Sequence, residues 1–283
     1  MSETGISVTN CLAQPGGKEV CDIINTMKLT AILLVLMSAF ASPLYAAGEF
    51  VVGVGDYDYW PHHGVVDHEY RGYAREVLDL FSEKSGHVLV YRPLPWKRVI
   101  HEYIRGDIDF VFPDNPLWNI DEKEGKDVRY SNPVVAYVDG VVVLPENKGK
   151  GLGHFKTLGT LRGFTVWDNN DLIQSGQVNL AESDDFVPLL KQVLMKHVDG
   201  AYIELAVANY HLGEVLEKPG ALVFDPDLPH RKDSYYFSTI KYPEIVQMFN
   251  EFQTTERNAI EALQKKYRVG VFAGQPHYTE DAE

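Results

Sequence analysis

Short apolar runs that suit β-strands alternate with stretches of helical spacing along most of this chain. That alternation limits the available folds more than any other feature. Residues 50–54 read as a strand, and residues 73–85 carry Val77, Leu78, Leu80 and Phe81 at helical spacing. Residues 88–91 return to a strand, 97–104 read as a short helix and 108–112 as a third strand. This βαβαβ order calls for a mainly parallel sheet with helices on its faces. Open sheets of that kind hold ligands beyond the carboxyl ends of their strands, so loops 55–63, 93–96 and 113–119 fall at a ligand-facing edge.

A second unit follows the apolar run 134–144, with strands expected at 164–167 and 200–203 and helices at 185–196 and 206–212. A strand at 235–240 and helices at 243–254 and 259–267 complete the pattern. The glycine- and lysine-rich stretch 147–154 lacks the Gly-Lys-Ser/Thr ending of a phosphate-binding loop and reads as surface. No short repeat or low-complexity tract argues for a solenoid or a disordered chain.

Met27-Lys28, the apolar run 29–41 and the small-residue stretch 42–47 have the form of a secretory signal. Cleavage is expected after Ala46 or Ala47, which makes this an exported, periplasmic protein and leaves residues 1–26 as an extension ahead of the signal. The run is shorter than the roughly 20 residues of a membrane span, and no cysteine stands at its exit to take a lipid. Cys11 and Cys21 are the only cysteines and both precede Met27, so the mature chain is expected to use no disulfide, Cys-bound metal or thiol nucleophile.

The leader holds Lys18 and Lys28 against Glu3, Glu19 and Asp22, so its loss moves the net charge from −14 to −13. Nucleic acid and anionic membrane are poor partners for such a chain. A composition 45% hydrophobic and 12% aromatic can fill one large domain or two small lobes.

The order and spacing of several short motifs resemble the type II periplasmic solute-binding proteins, specifically the extracellular family 3 that serves amino-acid ABC importers. These are Val52-Gly53-Val54, Tyr59-Trp60-Pro61, Arg71-Gly72-Tyr73, Gly106-Asp107-Ile108-Asp109-Phe110, Tyr130-Ser131-Asn132-Pro133, Leu161-Arg162-Gly163, Val198-Asp199-Gly200-Ala201 and Lys265-Lys266-Tyr267. The resemblance implies an α/β fold of two lobes, each a mainly parallel sheet flanked by helices, joined by two hinge strands. It places the crossings near 135–141 and 232–236, with residues 48–137 and 233–283 in the first lobe and 138–232 in the second.

By the same resemblance, Tyr59 matches the aromatic that stacks on ligand and Trp96 its opposing ring. Asp56 matches the acid that reads a basic side chain, and Glu204 an acid that grips a ligand ammonium. Asp114 and Pro116 fall where the family usually has hydroxyl residues, and Asn115 between them is counted among the ligand-binding candidates. Trp60, Trp96, Trp118 and Trp167 all lie in or beside loops expected at the cleft. The Arg that clamps a ligand carboxylate is replaced by Trp118-Asn119-Ile120-Asp121. The Gly-Thr or Gly-Ser anion turn is replaced by Asp168-Asn169-Asn170-Asp171, in which Asp171 reads as a helix cap.

An acidic, aromatic cleft suits a cation, because ring faces and carboxylates both attract positive charge. Asp56 and Asp114 equally suit loops in which they satisfy backbone N–H groups, and both readings stand. His62-His63 with Asp67-His68-Glu69 is the one metal-like grouping, and it reads as a solvated loop. No catalytic motif and no cofactor site are found.

The expected function is capture of a small polar ligand, cationic or amino-acid-like, by a monomer that delivers it to an ABC permease or a membrane sensor. The rivals are a dehydratase-like enzyme on the same scaffold and a ligand-sensing partner of a receptor. A sensory module with its own output is not expected, since the residues after Tyr267 add neither a membrane helix nor a signalling domain.

Overall fold

The computed structural model describes residues 48–162, 164, 166 and 170–270. Strand β1 (Glu49–Gly55) opens the chain, followed by the hairpin β2 (Gly64–Val66) and β3 (Glu69–Arg71). Next come α1 (Tyr73–Ser85), β4 (Val88–Leu94), α2 (Trp96–Arg105), β5 (Phe110–Asp114), α3 (Ile120–Lys123), β6 (Arg129–Tyr130) and β7 (Val135–Val143). Then follow β8 (Thr157–Leu161), α4 (Asn170–Gln174), β9 (Asn179–Ser183), α5 (Phe186–Leu194), β10 (Gly200–Glu204) and α6 (Leu205–Tyr210). The last elements are β11 (Val223–Phe224), β12 (Arg231–Thr239), α7 (Pro243–Thr255) and α8 (Arg257–Tyr267).

The main sheet runs β4-β1-β5-β12-β7-β10-β8-β9. Both ends are parallel, as the alternation requires: β1 lies between β4 and β5, and β8 between β10 and β9. The centre is antiparallel, so the sheet as a whole is mixed rather than mainly parallel. Strand β12 runs against both neighbours, pairing Arg231–Tyr235 with β7 and Tyr236, Ser238 and Thr239 with β5. One strand therefore ties the two parallel sections together.

The helices bury the faces their periodicity marks. Helix α1 sets Tyr73, Ala74, Val77, Leu78 and Phe81 inward, and Phe81 meets Phe237, Phe249 and Phe252 edge-on. Glu76 on its outer face takes Lys266 Nζ at 2.6 Å and Tyr267 Oη at 2.7 Å, bolting α8 to α1. In α5, Leu189, Leu190 and Val193 are sealed against the second section.

Three features differ from the sequence expectation. Strands β8 at Thr157–Leu161 and β9 at Asn179–Ser183 have no counterpart in the apolar pattern, because threonines and polar residues interrupt both and hide their apolar faces, while the strand expected at 164–167 lies partly outside the described residues. Asp171 sits inside the first turn of α4 instead of capping it.

Candidate functional site

The loop after β1 is shaped by α1. Tyr59 and His63 form an isolated antiparallel bridge, with Tyr59 N donating to His63 O at 2.8 Å and His62 N to Tyr59 O at 2.9 Å. The first N–H groups of a helix have no partner inside it, and here the loop supplies them. Ala74 N donates to His62 O at 2.9 Å and Tyr73 N to Pro61 O at 3.2 Å. Gly72 allows this approach: its φ is +109°, and a Cβ there would stand 2.8 Å from His62 O and His63 Cα.

The consequence corrects the solvated-loop reading. His62 and His63 are 1% and 0% exposed, whereas Asp67, His68 and Glu69 lie exposed at the β2–β3 turn. Among the described residues no group of three or more His, Cys, Asp or Glu side chains is arranged to hold a metal ion. His63 lies among the rings of Tyr57, Tyr59 and Tyr70, and burial, reinforced by neighbouring His62, lowers its pKa from 6.5 to about 3.

Strand β10 brings Glu204 to the same place from the second sheet section. Its Oε2 accepts Val207 N at 2.8 Å, capping α6, and stands 3.2 Å from His62 Nε2. That contact has ion-pair length but not hydrogen-bond alignment, and neither ring nitrogen of His62 has a hydrogen-bond partner among the described residues. Tyr235 Oη of β12 lies 3.2 Å from Tyr59 Oη, and the Tyr235 ring meets His62 edge-on at 5.1 Å and stacks on Tyr137 of β7 at 4.3 Å. In register, Asp139 stands beside Glu204 on one side and Arg231 on the other, a row of three charges across three strands.

The phenols of this cluster hold their protons. Burial first, then the negative charges of Asp139 and Glu204, raise the Tyr59 pKa well above its usual value. Tyr235 is raised in the same way by burial, by Tyr59 and by the same two acids. Both hydroxyls can therefore donate to a ligand acceptor or accept from a donor, while the Glu204 carboxylate accepts.

Aromatic rings surround the polar centre. Trp60 stacks on Tyr210 at 5.9 Å, and Phe164 faces Tyr57 at 5.9 Å, Tyr59 at 6.2 Å and Phe186 at 6.2 Å. Trp118 packs against Tyr235 at 5.7 Å. Trp96 reaches the cluster through Trp118, 6.0 Å away edge-on, with its Nε1 donating to Asn119 Oδ1.

The remaining anticipated residues are distributed otherwise. Asp56 is exposed at the loop entrance. Asp114 is fully buried, with Oδ1 on Lys123 Nζ at 2.7 Å and Oδ2 accepting from Ser238 Oγ at 2.6 Å. Asn115 is equally buried, its Nδ2 donating to Ser234 O and its Oδ1 accepting Leu117 N. Both side chains serve the fold. Trp167 and Asp168 lie outside the described residues. Sequence reasoning missed His62, Tyr137, Asp139 and Tyr235; a signal existed for the tyrosines, which fall on the two strands expected to cross between lobes.

No protein-family profile matches the chain, and no curated protein matches it. Solved structures do. An ancestral amino acid-binding protein, described as a precursor of cyclohexadienyl dehydratase, is 19% identical with a TM-score of 0.59 over 78% of this chain and 95% of its own. The second substrate binding domain of a putative amino acid ABC transporter from Streptococcus pneumoniae is 13% identical, with a TM-score of 0.55 over 77% and 99%. A histidine kinase sensor domain with similarity to periplasmic binding proteins is 17% identical, with a TM-score of 0.60 over 77% and 95%. The chain has the two-lobed α/β fold of the type II periplasmic binding proteins.

Proposed function

We propose that this chain is a periplasmic solute-binding protein that closes its two lobes on a small, nitrogen-bearing ligand and presents it to an ABC importer. The observation that carries this reading is the meeting of Tyr59, His62, Tyr235 and Glu204, buried polar groups from the first lobe, the crossing strand and the second lobe. Strands β7 and β12 serve as the hinges, with residues 48–137 and 233–283 forming one lobe and 138–232 the other. Lobe closure is favoured only by contacts the ligand makes in the closed form.

The ligand class follows from the groups present. Glu204 among tyrosine and tryptophan rings suits an ammonium or guanidinium, which gains from both the carboxylate and the ring faces. Asp114 contributes little to this preference, since Lys123 already neutralises it. A thermal-shift screen over amino acids, polyamines, quaternary amines, sugars and dipeptides, followed by isothermal titration, tests the reading. A stabilising amine or basic amino acid with a dissociation constant in the micromolar range or below supports it. A best ligand that is an anion or a neutral sugar overturns the ligand class.

The rival with an observation in its favour is an enzyme, given the structural likeness to a dehydratase precursor. Conversion of the best ligand, seen as product by mass spectrometry, moves the assignment there. The sensor-domain likeness supports a receptor as the alternative membrane partner.

A further inference from the structure

Glu204 is 4% exposed, and its Oε2 accepts a single backbone N–H, that of Val207. A buried carboxylate so poorly provided gains strongly from a proton or a cation beside it. The group in position to supply one is His62, 1% exposed and reaching across from the other lobe to within 3.2 Å. The titratable or charged neighbours of this pair are Tyr59 and His63 from the loop of His62, Tyr235 from β12, and Asp139 with Arg231 in register beside Glu204.

We propose that His62 and Glu204 form a proton-operated latch between the lobes, in which uptake of one proton by the pair holds the clamp closed. It rests on the hinged-clamp reading above. Without the proton, the closed form buries a carboxylate beside a neutral imidazole whose nitrogens have no hydrogen-bond partner among the described residues. With it, the same contact becomes an ion pair and the buried charge falls from −1 to zero. Opening separates the two groups and hydrates each, so the closed form binds the proton more tightly and acidification favours closure. His63 does not compete, because burial within its own lobe keeps it neutral until far lower pH. Tyr59 and Tyr235 remain neutral phenols throughout. The latched carboxylate is also the one an ammonium ligand would use, so proton and ligand exclude one another there.

The test uses the full chain without ligand, as parent, His62→Phe and Glu204→Gln, in small-angle X-ray scattering at pH 8.0 and 5.5. Phenylalanine keeps a ring among Tyr59 and Tyr235, and glutamine keeps an acceptor for Val207 N, while circular dichroism confirms that each chain is folded. For the parent, the radius of gyration at pH 5.5 is expected to fall below that at pH 8.0, because the protonated pair holds the lobes together. Both variants are expected to show no pH response. A parent with the same dimensions at both pH values overturns the latch, and so does a variant that compacts as the parent does. Because no ligand is present, either result leaves the thermal-shift screen to judge the ligand reading separately.

Discussion

Lys123 Nζ lies 2.7 Å from Asp114 Oδ1, with Lys123 7% exposed and Asp114 fully enclosed. The pair fastens α3 beneath the end of β5, and Ser238 Oγ joins it to β12 through the second carboxylate oxygen. It therefore holds in place the loop that carries Trp118.

Removing one partner leaves an uncompensated buried charge. Lys123→Met is expected to destabilise the fold by about 3–5 kcal/mol. Asp114→Asn is expected to destabilise by less when made on top of Lys123→Met than by itself. Urea unfolding of the two single variants and the double variant checks this. Ligand affinity per folded molecule stays near that of the parent, and a large affinity loss in Asp114→Asn would move that residue into the binding site.

Glu204 separates from Asp114 in the same assay. Glu204→Gln preserves an acceptor for Val207 N, so stability changes little, yet affinity for a cationic ligand is expected to drop by about 2–5 kcal/mol, or roughly 30-fold to several-thousand-fold. Glu204→Ala loses the helix cap as well, with a further stability loss of about 1 kcal/mol. Titration calorimetry giving equal affinities for parent and Glu204→Gln would remove Glu204 from the ligand site.

His63 sets a pH dependence whose sign follows from its burial. Its folded pKa lies near 3 against 6.5 in the unfolded chain, so below pH 6.5 the unfolded state binds a proton that the folded state refuses. The stabilisation is complete above pH 6.5 and is lost toward pH 3, with a slope approaching about 1.4 kcal/mol per pH unit. Unfolding free energies of parent and His63→Phe, measured between pH 4 and 7, should differ by this slope. Parallel curves would show that His63 is hydrated in the folded protein.

Gly72 positions the His62 segment by backbone conformation. Alanine at φ +109° is strained, and its Cβ would press on the His62 carbonyl. Gly72→Ala is expected to destabilise by more than about 1 kcal/mol and to weaken ligand binding, whereas Gly86→Ala, with open space around it, should lower stability and leave binding intact. Denaturant midpoints and titration on both variants distinguish a local hinge effect from general loss of fold.

The proposal that residues 27–47 are a secretory signal makes a mass prediction. The periplasmic fraction of an expressing bacterium should contain a chain beginning near Ala47 or Gly48, read by intact-mass spectrometry. A mature product that keeps Met1 would discard both the signal reading and the absence of cysteine from the mature chain.

Elements with a clean period were legible in the sequence, and interrupted ones were not. Helix α1 and strands β1 and β10 follow within a residue or two from their apolar spacing. Strand β8, reading Thr-Leu-Gly-Thr-Leu, hides its buried face because Thr160 is itself fully enclosed. In the candidate site, Tyr59 and Glu204 were reachable from motif order. His62 was not, because two adjacent histidines next to a turn have the composition of a solvated loop.

The sequence by itself determined the alternation of strands and helices, the acidic charge and the aromatic stock near the sheet edge, since each depends on neighbours a few residues apart. Only the tertiary structure decided which polar groups are buried together. His62 meets Glu204 because α1 captures one loop and β12 joins two sheet sections. Lys123 in its charged surroundings becomes a core residue because β5 ends beneath it. Burial and electrostatic partnership depend on chain segments far apart in sequence, and the free energy that selects them belongs to the packed whole rather than to any local window.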